Sequence, residues 1–516
     1  MDTKALRQKI LDLAIRGKLV PQDPNDEPAS VLLEKIREKK AQMVKDGKLK
    51  KKDIKNDSVI YVGEDNLHYE KFQDGTVKCI EEEIPFEVPE GWKWSRLGTI
   101  FLTITGSTPS TKDKSLYGDD FPFFKPTDLD AGFEVYSSES TVSEKGYSNG
   151  RSLPEQSVLV TCIGATIGKT GFIRKTGICN QQINAILPNE KIVPEYTFFS
   201  MCSELEQQQI LMNASATTLP ILNKSKFDNL LFPVPPYREQ ILIVEKLKDV
   251  LSHVDEINND RDSLYATIKM VKDKILDLAI RGKLVPQNPN DEPASVLLER
   301  IRTEKEDLIK RGKIKRDKKE SVIFKGEDNS YYEKVGNEVK NIDGEIPFEL
   351  PDGWGFVRLK ELWKLISGRD LSPSEYNTDG VGIPYITGAS NFINGKVELV
   401  RWTTSPQVIT KTGDLLLTCK GTIGEMAFNN FGDAHIARQI MAIRNTFDLN
   451  PEYLALCMVF HINAIKNAAK GLIPGISRED ILNLILPVPP RAYQARVVKQ
   501  MVMVTSFLTS IEKSLR

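Results

Sequence analysis

Apolar positions along the chain fall into three kinds of pattern. Leu6, Ile10 and Leu13 recur at helical spacing and stop at Gly17, and Val20-Pro21-Gln22-Asp23-Pro24 breaks the helix behind them. A second helix is predicted over roughly Pro28–Asp46, carried by Ala29, Val31, Leu32, Leu33 and Ile36. Over Arg96–Pro235, and again over Arg358–Pro489, this spacing gives way to short β-type runs punctuated by Gly, Pro and Ser. The third pattern is a long stripe. Val250, Val254, Ile257, Leu264, Ile268, Val271, Ile275 and Leu278 follow 4-3 spacing with one interruption at Arg261. After Pro490, Val497, Met501, Val504, Leu508, Ile511 and Leu515 repeat it, which predicts coiled-coil pairing. Tyr237–Ile280, if helical throughout, runs roughly 65 Å.

Much of this occurs twice. Lys9–Arg37 and Lys274–Arg302 differ only at Asp23/Asn288 and Lys35/Arg300, a duplication with a period of 265 in 516 residues. A basic run follows each copy, Lys48–Lys52 in the first and Lys310–Arg316 in the second. Such runs are read either as solvated surface or as arms that touch phosphate. Glu83–Trp92 and Glu345–Trp354 then lead into the β-rich regions, where similarity falls but landmarks persist. Phe121–Phe124 corresponds to Ile383–Ile386, Val158–Cys162 to Leu415–Cys419, and Gln182-Ile183 to Gln439-Ile440. Leu6, Ile10 and Leu13 copy the last turns of the central helix, so the amino-terminal helix is expected to supply the missing end of the carboxy-terminal one. The expected fold class is α+β. Two mixed α/β domains would be separated by a pair of long antiparallel coiled-coil helices, with a pseudo-two-fold internal repeat. The division expected is 1–82 (helical region and basic arm), 83–235 (first variable domain), 236–344 (long helix and repeated arm), 345–489 (second variable domain) and 490–516 (last helix).

Charge and composition narrow the function. Lys plus Arg number 70 against 71 Asp plus Glu, so there is no global basic signal, and a nucleic-acid surface would have to be local. Six scattered cysteines fit reduced thiols in a cytosol, four dispersed histidines argue against a zinc site, and no apolar run is long enough to cross a membrane. Gly164-Ala165-Thr166-Ile167-Gly168-Lys169-Thr170 has one residue too few between its glycines for a phosphate loop, and its counterpart ends in Glu425. These glycines are expected to mark a strand turn. Pro235-Pro236-Tyr237 lacks the preceding Asn or Asp that an amino-methyltransferase needs, so the prolines read as helix starts. No nuclease, hydrolase or motor arrangement stands out, and the catalytic and metal sets are both empty.

Four polar loop regions recur in the two domains. The first carries Ser107, Thr108 and Ser110, matched by Arg369. The second carries Lys125 and Thr127, matched by Thr387, Ser390 and Asn391. The third is the glycine turn, with Thr166 and Lys169 matched by Lys420 and Thr422, and the fourth has Asn180 and Gln181 matched by Arg438. These side-chain types read base edges and grip phosphates, which makes all of them candidate DNA contacts. Val254, Ile257, Leu264, Ile268, Val504, Leu508 and Ile511, on the helical stripe, are the candidate partner-binding residues.

The duplicated LDLAIRGKLVPQ(D/N)PNDEPASVLLE(K/R)I segments, the E-x-P-x-GW leads, GSTPS, GATIGK and the helices launched by PVPP together resemble the specificity subunit of type I restriction-modification systems, over essentially the whole chain. The resemblance implies two target recognition domains, each reading half of a split double-stranded DNA site. It also implies helical regions that fix the spacer and dock two modification methyltransferase subunits and, through them, restriction/translocase subunits. The chain would be non-catalytic alone, within a type I site-specific deoxyribonuclease/adenine methyltransferase complex in a prokaryotic cytoplasm. S-adenosylmethionine, ATP and Mg would be bound by the partner subunits. GATIGK is intact only in the first domain; the second reads CKGTIGE, so the loop carries over but the charge of Lys169 does not carry to Glu425.

Overall fold

The computed structural model describes residues 2–215, 219–316, 320–393, 395–447, 449–468 and 475–515. The chain divides into two units, Met1–Arg261 and Asp262–Arg516, and the division falls inside the helix Tyr237–Ile280. The fold is α+β and internally repeated, as the pattern predicts.

In the first unit the helix Thr3–Ile15 starts at Asp2, whose carboxylate accepts from Ala5 N at 2.9 Å, and it ends at Gly17. Gly17 has φ +65°, and a Cβ there would sit 2.4 Å from Pro89 Cγ; both the left-handed turn and the close approach require glycine. The helix runs antiparallel to the long one. Thr3 Oγ1 donates to Asn258 Oδ1 at 2.6 Å and Arg7 pairs with Asp255. The helix Ala29–Lys45 follows, then an antiparallel hairpin sheet of Ser58–Val62, His68–Phe72 and Val77–Cys79. Lys93–Arg96 pairs with Leu231–Val234, so the strand that opens the variable domain is clasped by the one that closes it. Between them lie a four-stranded sheet, in the order Thr103–Thr105, Ile183–Ile186, Val158–Thr161, Thr170–Phe172, and a three-stranded one centred on Phe121–Phe124. Trp92, Leu97, Phe232, Leu247 and Val254 join domain and helix in one core, whose apolar burial holds the unit together.

The second unit repeats this plan with its own residues. The end of the long helix stands where Thr3–Ile15 stands in the first, and Tyr265 Oη and Lys272 Nζ reach Glu512 at 3.3 and 2.8 Å on the helix Arg491–Ser514. The helix Ala294–Lys310 and the hairpin Ser321–Lys325, Tyr331–Val335, Glu338–Asn341 follow. Gly355–Arg358 is clasped by Ile485–Val488. The main sheet has the same four-strand order, Trp363–Ser367, Ile440–Asn445, Leu415–Thr418, Met426–Phe428. The second sheet gains a strand, because Ile409–Thr410 pairs with Ala434–Ile436. Among the described residues no helix is long and apolar enough to cross a membrane.

Candidate nucleic-acid interface

Each variable domain gathers its four loops around one tripeptide. In the first domain that hub is Asn180-Gln181-Gln182. Asn180 N donates to Phe124 O at 3.1 Å, which ties the hub to the loop of Lys125 and Thr127. Ser107 N donates to Cys179 O at 2.8 Å, and Thr108 Oγ1 donates to Gln181 Oε1. Cys162 N donates to Gln182 O at 2.7 Å, which anchors the glycine turn. Gly106 makes this convergence possible, since a Cβ on it would lie 2.1 Å from Asn180 O. The second domain repeats the arrangement around Ala437-Arg438-Gln439. Arg369 N donates to Ile436 O at 2.9 Å, Ala437 N to Ile386 O at 2.9 Å, and Cys419 N to Gln439 O at 2.8 Å. A Cβ on Gly368 would lie 2.1 Å from Ala437 O.

The glycine turns are the strand connections that the spacing predicts. Gly164 and Gly168 have φ of +100° and +88°, and Gly168 N donates to Thr161 O at 2.8 Å across the turn. Gly424 N does the same to Thr418 O at 2.9 Å.

Ser107, Lys125, Lys169 and Thr387 are half-buried, while Thr108, Ser110, Thr127, Thr166, Gln181, Arg369, Ser390, Lys420, Thr422 and Arg438 are exposed. Two candidates are not available to a ligand in this way. Asn391 is 1% exposed, and its Oδ1 accepts from Thr387 N, Thr387 Oγ1 and Gly388 N while its Nδ2 donates to Glu398 O, so it brackets its own loop. Asn180 is buried too, with Nδ2 donating to Gln182 Oε1 and Oδ1 accepting from Gln182 N. Asparagine makes such turn brackets for the same reason it reads adenine, because it offers a donor and an acceptor together. Counter-charges were hidden from linear reading: Asp130 pairs with Lys169 at 2.6 Å, and Asp370 with Arg438 at 2.7 Å. His435, missed as well, is wholly buried; Nδ1 accepts from Val408 N, and Nε2 lies 2.8 Å from Arg369 O, so it supports the Arg369 loop. Burial holds its pKa below the ordinary histidine value.

Two residues of the helical stripe expected to bind partners are closed to them. Val254 and Ile268 are each 3% exposed. A 4-3 stripe is the seam that helices bury against their own neighbours, so it is a poor guide to a free docking face. Ile257 and Leu264 are exposed, and Val504, Leu508 and Ile511 are half-buried. The outward apolar residues of the last helix are instead Val502, Met503 and Phe507.

One histidine does meet carboxylates. His68 Nδ1 lies 2.8 Å from Glu81 Oε2, and Glu87 completes a trio whose ligand atoms are within 4.8 Å of one another. The second arm closes the same backbone bracket without histidine, as Tyr331 N donates to Asp343 Oδ1, which marks the first as a hairpin bracket.

Comparison with known proteins agrees with this architecture. A family model described as type I restriction modification DNA specificity domain matches residues 89–264 and 351–516. The chain is 27% identical to the type I restriction enzyme EcoEI specificity subunit of Escherichia coli, over 96% of this chain and 88% of that protein. It is 26% identical to the EcoAI specificity subunit of the same species over the same shares. A solved structure described as the structural basis of complex assembly and conformational transition of the type I R-M system has the same fold, with a TM-score of 0.62 at 19% identity over 84% of this chain and 94% of that one. With two family-model matches that together span more than half of its length, the chain belongs to the specificity subunits of type I restriction-modification systems.

Proposed function

We propose that this chain selects a bipartite DNA site, with each variable domain reading one half through the four loops gathered on its hub. The observation that supports this most is the paired convergence. Both domains bring loops in the same order to the same end of the same sheet, but present Thr108, Thr166 and Gln181 in one and Arg369, Thr422 and Arg438 in the other. Shared geometry with different side chains is what two readers of different half-sites need. The helical regions dock two modification methyltransferase subunits and, through them, restriction/translocase subunits, in a prokaryotic cytoplasm. S-adenosylmethionine, ATP and Mg belong to those partners, and this chain contributes site choice without chemistry of its own.

Replacing Arg96–Pro235 by the corresponding domain of a relative tests the reading. Methylation mapped in the host should move in one half-site and stay in the other. A change in both halves would sink it, and no change in either would leave the chain an assembly scaffold.

A further inference from the structure

The second unit carries a basic groove that none of the four loops accounts for. Its volume is about 660 Å³, and Lys313, Lys315, Lys360, Lys364 and Arg478 line it. Lys305, also in the wall, is already held by Glu320 and Glu361 at 2.9 and 3.0 Å. Lys313, Lys315 and Lys364 are exposed and form no ion pair among the described residues. Glu479 and Glu361 are the acids of the wall, and Glu361 is occupied by Lys305. Buried in the same wall, the Trp363 indole Nε1 has no acceptor among the described residues. Five cations, three of them without an ion pair among the described residues, describe a site short of anionic oxygens.

The first unit does not offer the same charge. Where the second has Lys360 and Lys364, the first has Gly98 and Leu102. Lys224 stands in place of Arg478, but it is neutralised by Asp228, whose counterpart is Leu482.

Position connects the groove to the loops. Arg478 Nη1 donates to Leu365 O at 2.9 Å and to Ser367 Oγ at 3.2 Å, so its guanidinium lies along the strand Trp363–Ser367. Lys364 is near one end of that strand, and Arg369 follows the other end, roughly 16 Å away for an extended segment. Ile476, two residues before Arg478, donates its N–H to Cys419 O at 2.9 Å, beside Lys420. A cationic track thus leads from the loops of the second domain into the groove. Its length matches about five base-pair steps of duplex at roughly 3.4 Å each.

We propose that this groove seats the sugar–phosphate backbone of duplex DNA flanking the half-site of the second domain, a sequence-independent hold that the first domain does not match. It rests on the DNA-reading function proposed above, and the two separate experimentally. The full chain, assembled with its modification subunits, is titrated with duplexes that carry or lack one helical turn of flank beyond the second half-site, across a salt series. In K313Q/K315Q/K364Q the slope of log affinity against log salt should fall by about 0.9 for each phosphate lost, about 2–3 in all. The loss should be the same for cognate and scrambled duplex, with methylated sites unchanged. Trimming the flank should bring the unmodified protein to the slope of the variant, while K48Q/K50Q in the first unit should move it by less than about 1. An unchanged slope in the triple variant would overturn the proposal. So would loss of co-elution with modification subunits at constant slope, which would assign the groove to an acidic protein face. Saturation of the groove by ATP irrespective of flank would overturn it too. Failure of the unmodified protein to prefer any site over scrambled duplex would remove both readings, and it is measured without any variant.

Discussion

Lys40 and Lys305 occupy the same place in two nearly identical arms, yet they are buried by different means. Lys40 donates to Gly98 O at 2.6 Å and faces one carboxylate, Asp57, at 3.3 Å. Lys305 faces two, Glu320 and Glu361. Burial therefore dominates the first pair, lowering the Lys40 pKa and pushing Asp57 up to about 6. At Lys305 the same burial is outweighed by its carboxylates, and its pKa rises. The second acid, Glu361, comes from the diverged domain, where the first domain has Thr99. Each half completes the charge of a copied arm with residues that were not copied.

The largest effects expected from this comparison lie at the arginines that pin the hairpins. Arg96 donates to Glu70, Glu83 and the carbonyl of Asn229, and the Glu70 and Glu83 side chains are 2% and 34% exposed. Arg358 makes the equivalent set with Glu333, Glu345 and Asn483, but its carboxylates are 12% and 40% exposed. Arg96→Met strands a buried charge and should cost about 3–5 kcal/mol in chemical denaturation of the full chain. Arg358→Met should cost clearly less, because water reaches what it leaves behind. Equal losses would show that the two halves handle buried charge alike.

Next comes pH. The folded-state value of Asp57, about 6, lies above its ordinary value of 3.8, so the native state holds this proton better than the unfolded chain does. Stability from this group is present at low pH and is lost as pH rises through about 6, by up to about 3 kcal/mol. The raised pKa of Lys305 acts only at alkaline pH, where its contribution disappears as the ammonium is lost. Hydrogen exchange, corrected for intrinsic rates, should therefore show Ser58–Val62 opening more readily at pH 8 than at pH 5, with Ser321–Lys325 changing little between them. A matching response in both hairpins would break the comparison.

Exchanging the differing residue sharpens it. Thr99 Oγ1 accepts from Ser58 N at 3.2 Å, and Glu361 Oε1 accepts from Ser321 N at 2.9 Å, so either side chain can keep this backbone donor satisfied. Glu361→Thr then removes the second acid from Lys305, with its longer contacts to Ser321 Oγ at 3.4 Å and Lys360 Nζ at 4.0 Å, and about 1–2 kcal/mol of second-arm stability should go with them. Thr99→Glu should raise protection of the first hairpin by less than that, since the new carboxylate must itself be buried.

How far such detail was legible in sequence follows from what was copied. The duplicated segments, the strands at Val158–Thr161 and Leu415–Thr418, the glycine turns and the long helix were all legible, because period and turn chemistry are local. Convergence of the loops was not, since it runs through backbone bonds such as Asn180 N to Phe124 O and Ala437 N to Ile386 O. Residue type alone chose Asn391, which the fold uses inside its own loop, and helical spacing alone chose Val254, which the fold uses in its core.

The smallest effect expected contrasts the two glycine turns. Lys169 is half-buried and already paired with Asp130, whereas Lys420 is exposed and forms no ion pair among the described residues. A lysine that meets phosphate with its charge uncompensated releases about 0.9 of a counterion, but one tethered to a carboxylate brings that carboxylate's repulsion with it. Lys420→Gln should therefore weaken DNA binding by about 1 kcal/mol and reduce the salt slope by about 1, while Lys169→Gln should do less on both counts. Asp130→Asn should narrow the gap, freeing Lys169 and strengthening binding through the first domain by a few tenths of a kcal/mol. If Lys169→Gln proves the costlier of the two in the native background, the Asp130 pair breaks on binding and the first turn reads DNA with the lysine alone.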